Sequence, residues 1–206
     1  METRSLTTRV ELREEDGGGK TLMGRAVVYN SWSEPIYGSF RERLLPGCFD
    51  ESLGKRDNDI IGTVDHDPCR LLGRTSSGTL KLNRGPEGID AEVSLPDISY
   101  ARDLAVSVQR TDIKGMSFIF DVLEDDWGID ENGGSTRTVK KAEIHEVSWV
   151  VFPAYLATSA GIRGGFNPSE DPEVRSKVLA RMKAALGRPK ESLEVLSLAL
   201  DLKEKE

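Results

Sequence analysis

Up to about residue 163 the chain is cut at short intervals by Gly and Pro, and between the cuts it alternates or runs apolar. A chain divided in this way lacks the room for strand–helix–strand crossovers, so it predicts many short strands closed into a barrel or stacked as a sandwich. Leu6, Thr8, Val10 and Leu12 alternate with polar residues, and Gly17-Gly18-Gly19 then marks a turn before a strand over Thr21–Tyr29. Further strands are predicted over Ile60–Val64, Thr79–Leu82, Ile89–Leu95, Met116–Leu123 and Thr138–Val151. Two helices interrupt the series. Ser99–Arg110 sets Ala101, Leu104, Ala105 and Val108 on one face with Asp97 or Ser99 as N-cap, and a shorter helix follows Pro46-Gly47 over Phe49–Leu53. Asp125–Thr136 is acidic and Gly-rich and reads as a long exposed hairpin loop.

Past Arg163 the pattern changes from period two to helical. Gly164–Pro168 reads as a linker, and Asp171-Pro172 as an N-cap followed by proline at the first helical position. Val174, Val178, Met182 and Leu186 then recur every four residues, with Leu179 beside them, until Gly187 and Pro189 stop the helix. A second amphipathic segment carries Leu193, Leu196 and Leu200. Residues 166–206 hold eight basic and eight acidic side chains, so the whole formal charge of −7 falls on residues 1–165. Pattern and charge together predict a β domain over 1–163, a linker over 164–168 and a helical tail over 169–206.

Acidic balance argues against nucleic acid as the main ligand, because phosphate contacts need clustered Lys and Arg. No apolar run approaches the about 18 residues that span a bilayer, and the charged first residues METRSLTTRVELREE lack the apolar region of a signal peptide. Cys48 and Cys69 stand apart, as in a reduced compartment, and neither they nor the two histidines have the spacing of a zinc site. Nucleotide-binding glycine motifs and the G-x-S-x-G elbow are also missing. No metal or organic cofactor is called for.

Three stretches carry residues able to do chemistry. In Thr63–Pro68 an apolar strand runs into His66 at a sharp turn between two aspartates, where a strand end can hold an imidazole toward a cleft as a general base or simply shape the turn. In Lys114–Phe120, Ser117 follows Gly115 at the start of an apolar strand. It is either a hydroxyl bonded within a sheet or a nucleophile that needs a histidine to take its proton, with Gly115 leaving room for a substrate backbone. In Ala142–Ala154, strict alternation puts Ile144, Glu146, Ser148 and Val150 on one face and Glu143, His145, Val147 and Trp149 on the other. Glu146 is then an edge-strand surface charge or a carboxylate that orients a histidine. A metal hydrolase built on Asp65, His66 and Asp67 is disfavoured, since neighbours on a strand point to opposite faces.

The segments FRERLLPGCFDESL (39–52), VDHDPCRLLGRTSSGTLKLN (64–83), GMSFIF (115–120) and EIHEVSWVVFPAY (143–155) follow one another in this order and at suitable distances. Together they resemble the prohead (capsid maturation) protease family of tailed bacteriophages, whose fold is related to the herpesvirus capsid protease. The resemblance runs over about residues 6–163 and does not cover the tail. It implies a mainly β, α+β fold: a herpesvirus-protease-like β-barrel ringed by helices and followed by a helical tail. It further implies a serine endopeptidase with His66 as general base, Ser117 as nucleophile and Glu146 as third member. The herpesvirus relatives use a second histidine in that third place, for which His145 is the candidate; the motif and strand alternation favour Glu146. Implied partners are coat-protein and scaffold segments as substrates, itself as a further substrate, and a second copy as a dimer or higher oligomer. The implied place is the host cytoplasm, inside the assembling prohead. The alternative is a non-catalytic scaffold or head-assembly protein that keeps the fold. The tail helices are too short to stand alone in water, so each must bury its stripe against the β domain, a second copy or scaffold helices; the charge difference from the β domain favours the last two, with release by a cut within residues 161–172.

Overall fold

A computed structural model describes residues 1–153 and 172–186. It is mainly β with few helices, as expected. Ten strands are described: β1 (Glu2–Thr7), β2 (Val10–Glu14), β3 (Lys20–Val28), β4 (Phe40–Leu44), β5 (Ile61–Val64), β6 (Asp67–Arg74), β7 (Leu80–Arg84), β8 (Gly88–Ser94), β9 (Gly115–Ile129) and β10 (Ser135–Val150). Three helices, α1 (Asp50–Gly54), α2 (Ser99–Gln109) and α3 (Pro172–Leu186), accompany them.

The strands form two sheets. The larger runs β1-β9-β10-β5-β6 with β4 added beside β10, and the smaller runs β2-β3-β8-β7. Among the described residues neither ladder closes on itself, so the barrel implied by the resemblance is here two facing open sheets. Between them lies one apolar core built from Leu22, Val27, Leu80, Ile89 and Val93 on the smaller sheet and Met116, Phe118, Phe120, Ile144, Val147 and Trp149 on the larger. The sheets approach closely where Gly24 faces β9: a Cβ there would stand 2.9 Å from Met116 Sδ.

Several expectations shift in detail. The alternation from Leu6 to Leu12 breaks at residues 8–9, and its halves join different sheets. The exposed loop expected over 125–136 is instead mostly ladder, because Trp127 pairs with Arg137 and Asp125 with Val139, leaving residues 130–134 as the turn. Buried Arg137 stabilises that extension by bonding Asp125 at 2.7 Å. Two strands, β4 and β6, lie where none is expected. Helix α2 starts after Ile98, which offers no side-chain cap, while Asp97 pairs with Arg102 instead.

Helix α3 falls in the expected tail, and of the three possible partners it packs on the β domain rather than on either favoured one. Val178 and Met182 are buried against Phe40, with Tyr37 and Trp127 beside them, and Arg181 reaches Asp125 at 2.9 Å. The β domain therefore covers this stripe with the packed rings of Phe40 and Trp127. The linker 164–168, the cut window up to residue 171 and the second tail segment lie outside the described residues.

Candidate active site

β5 is short and apolar, and its connection to β6 is the two-residue turn Asp65-His66. Both residues have positive φ, 48° and 58°, as the primed hairpin turns that match strand twist require. Neither is glycine, so the turn is strained, and strand β10 with the residue after it holds it in three places. Trp149 O accepts the Asp65 N–H at 3.1 Å, Ser148 Oγ accepts the His66 N–H at 2.9 Å, and Asp65 Oδ1 accepts the Val151 N–H at 2.9 Å. This left-handed backbone turns the His66 ring back over the sheet.

On β9, Met116, Phe118 and Phe120 face the core, so Ser117 faces the opposite side. On β10 the corresponding placement depends on an irregularity. Ile144 pairs with Phe120 and Glu146 with Ile119, which makes His145 the extra residue of a β-bulge. Strict alternation would have put Ile144 and Glu146 on one face. The bulge sends Ile144 into the core with Val147 and Trp149 and sets Glu146 on the side of Ser117.

His66, Ser117 and Glu146 thereby meet. Nε2 of His66 lies 2.7 Å from Ser117 Oγ, and its Nδ1 lies 3.0 Å from Glu146 Oε1. The same Oε1 accepts the Thr63 hydroxyl at 2.5 Å. An ionised carboxylate only accepts, so Nδ1 carries the imidazole proton and Nε2 is left as the acceptor facing the serine. The His66 and Glu146 side chains are 11% and 12% exposed, and Ser117 has no exposed surface. Ser117 Oγ also accepts the Ser5 hydroxyl at 2.8 Å and lies 3.0 Å from the Arg4 carbonyl oxygen. Its single proton is thus shared between the imidazole and β1. His145 is apart from this group and bonds Asp121 at 3.0 Å. The space expected to be open over Gly115 is filled by the Pro153 ring, 2.9 Å from where a Cβ would stand.

Thr63, Ser148 and Ser5 are absent from the candidates read from the sequence. The signal for the first two was there: Thr63 is the lone hydroxyl of β5 and Ser148 sits in the apolar run from Val147 to Val151, and a buried hydroxyl needs a partner. Ser5 carried no such signal, since only the register Ser5↔Ser117 of β1 with β9 makes it a neighbour.

A second polar cluster occupies the other face of the large sheet. Arg137 bonds Glu2 at 2.7 Å, Glu42 at 3.0 Å and Asp125 at 2.7 Å, and Arg4 bonds Glu2 at 2.6 Å and Glu42 at 2.8 Å. Burial acts to raise the Glu2 pKa, yet the Arg4 and Arg137 guanidiniums outweigh it and hold Glu2 below the ordinary value. Burial likewise opposes the charges of Arg4 and Arg137, and the carboxylates prevail, so both stay protonated. Burial pushes the Cys48 thiol up to about 12, which leaves it an inert thiol of the core. Among the described residues no group of three or more His, Cys, Asp and Glu side chains could hold a metal ion.

A family model described as caudovirus prohead serine protease matches residues 8–167. The prohead protease of Enterobacteria phage HK97 is 28% identical over 141 residues, which is 68% of this chain and 58% of that protein. The chain thus spans well under two thirds of that curated relative's length. The solved structure of the bacteriophage T4 capsid assembly protease is 13% identical, covers 74% of this chain and 100% of its own, and superposes with a TM-score of 0.49.

Proposed function

The chain belongs to the caudovirus prohead serine protease family, and from that membership we propose that it is a serine endopeptidase of phage head maturation. The observation that carries the reading is the continuous hydrogen-bond line from Glu146 Oε1 through both nitrogens of His66 to Ser117 Oγ, at 3.0 and 2.7 Å. Ser117 Oγ attacks a peptide carbonyl carbon while His66 Nε2 takes its proton; the imidazolium returns that proton to the leaving amine, which departs and leaves an acyl-serine. Water then attacks the ester with His66 again as base, releasing the acid and restoring Ser117. Glu146 keeps the imidazole in the acceptor tautomer and stabilises its charged form. Because Ser117 is covered, a peptide reaches it only after that side of the site opens.

The substrates in this reading are coat-protein and scaffold segments and the chain itself, cut inside the assembling prohead in the host cytoplasm. The finer parts belong to it too: kinship with the herpesvirus capsid protease barrel, a domain over 1–163, a linker over 164–168, a tail over 169–206 that carries the enzyme into the prohead, and association with a second copy. The deciding experiment is co-expression with the neighbouring coat and scaffold proteins, read by intact mass. Ser117→Ala deletes one hydroxyl from a small side chain, so the variant folds and leaves coat protein unprocessed. Processing by a folded Ser117→Ala chain at the wild-type level sinks the assignment.

A further inference from the structure

The hydroxyls of Thr63 and Ser148 sit in register on adjacent strands, since Thr63 pairs with Ser148 where β5 runs parallel to β10. Both residues are fully buried. Each of the two hydroxyl protons has an acceptor. Thr63 Oγ1 is 2.5 Å from Glu146 Oε1 and 3.1 Å from Ser148 Oγ, and its one proton goes to the nearer, charged acceptor. Ser148 then gives its proton to the Thr63 carbonyl at 3.2 Å and accepts the His66 backbone N–H at 2.9 Å. Each donor finds an acceptor, and each hydroxyl makes one bond to a group that positions His66. One hydroxyl grips the carboxylate that orients the ring; the other grips the strained backbone that carries it.

Buried hydroxyls that only satisfy a sheet would bond back to the ladder carbonyls. Thr63 does not: its proton leaves the ladder for a side-chain carboxylate. We infer that Thr63 and Ser148 are positioning residues of the catalytic line, acting through Glu146 and through the Asp65-His66 turn, an inference that rests on the serine-protease reading. Without the Thr63 hydroxyl, Glu146 retains only the His66 contact on Oε1, and its carboxylate is free to rotate away from Nδ1. The imidazole then loses the constraint that aims Nε2 at Ser117.

The test compares Thr63→Val, which keeps the β-branched shape and removes only the hydroxyl, with Thr63→Ser, which keeps the hydroxyl. Purified full-length chains are scored in two ways: the rate of a fluorophosphonate adduct on Ser117, followed by intact mass, and the rate of coat-protein cleavage. Thr63→Val slows both by about 10- to 100-fold, the range expected for a misplaced catalytic group, while Thr63→Ser stays near the wild-type rates. A merely structural hydroxyl would change the melting temperature and leave the rates of the folded protein alone. If Thr63→Val fails to fold, Thr63→Cys replaces it, because a thiol is a poor donor to the carboxylate, and the same slowing is expected. Ser148→Ala gives an independent arm: slower labelling with a normal far-ultraviolet spectrum. Wild-type rates for folded Thr63→Val or Thr63→Cys, or a Thr63→Ser chain as slow as Thr63→Val, overturn the inference and leave the protease reading standing. A wild-type chain that neither labels nor cleaves, or a Ser117→Ala chain that does both, overturns the two together.

Discussion

The cluster around Ser117 and the cluster around Arg137 share strands β1, β9 and β10 yet contain opposite chemistry. The first is made of neutral hydroxyls, one imidazole and one carboxylate; the second is made of two guanidiniums and three carboxylates, each paired at 3.0 Å or less. They lie on opposite faces of one sheet, and β1 touches both. The Arg4 side chain stands over the Phe120 ring in the charged cluster, while its carbonyl and the neighbouring Ser5 hydroxyl meet Ser117. Full pairing makes a group rigid and fixes its protonation, as Arg4 and Arg137 show. A catalytic group has to keep one pairing exchangeable, as Ser117 does between His66 and Arg4. The comparison teaches that fully paired buried charges build the scaffold, whereas the reactive line is recognised by geometry.

Substitutions on each side test that division. The largest effect expected is on catalysis: Glu146→Gln, in the line but not in the core, lowers kcat by roughly 10³–10⁴ with little change in melting temperature. His145→Ala, bonded to Asp121 away from the line, leaves kcat near wild type. A loss in His145→Ala with none in Glu146→Gln would reverse the assignment of the third member. Next, Arg137→Ala removes the guanidinium that joins three buried carboxylates, leaving Glu2 and Glu42 to Arg4 and Asp125 to Arg181, and costs about 3–5 kcal/mol of stability, measured by urea unfolding, while Ser117 in the surviving folded fraction still labels. Acid should separate the clusters further. The folded-state pKa of Glu2 lies below its ordinary value of 4.5, so the stability it contributes is present above the unfolded value and is lost as pH falls through the folded one. The stability gap between wild type and Glu2→Gln therefore narrows as pH drops below about 4.5, and a gap that widened there would break this account. The smallest effect is expected at the rim, where Arg181 meets Asp125 from α3 with its own side chain 43% exposed. Arg181→Ala costs about 0.2–1 kcal/mol, visible as faster amide exchange in α3 alone. A larger loss would make the helix part of the β domain's own stability.

Much of the β patterning was legible because apolar alternation reports directly on which face is buried. Thr21–Tyr29, Ile60–Val64, Ile89–Leu95 and the helix Ser99–Arg110 all correspond to observed elements within a few residues. β4 escaped because its inward positions are Phe40, Glu42 and Leu44, and a buried Glu42 reads as polar until Arg4 and Arg137 are known to meet it. β6 escaped because Pro68 and its charges suit an exposed turn, and such residues are tolerated here only because β6 lies at the edge of its sheet. The length of the β9–β10 hairpin was hidden for the same reason as β4: Asp125 and Arg137 look like solvent-facing charges and instead neutralise each other.

By itself, the sequence determined which strands are apolar enough to bury, that His66 ends one of them at a turn, and that Ser117 lies opposite core-facing Met116 and Phe118. Those are local properties, set by the two-residue period of a strand and the conformations a turn requires. Only the tertiary structure decided that Glu146 shares a face with Ser117, because the bulge at His145 reverses the alternation that residues 142 and 144 begin. It likewise decided that Thr63, Ser148 and Ser5 are neighbours of the line and that α3 finds its partner on the Phe40 and Trp127 side of the β domain. Register, bulges and docking arise from pairings between residues far apart in the chain, where the free energy depends on both partners and the pattern of either one alone carries no record of the other.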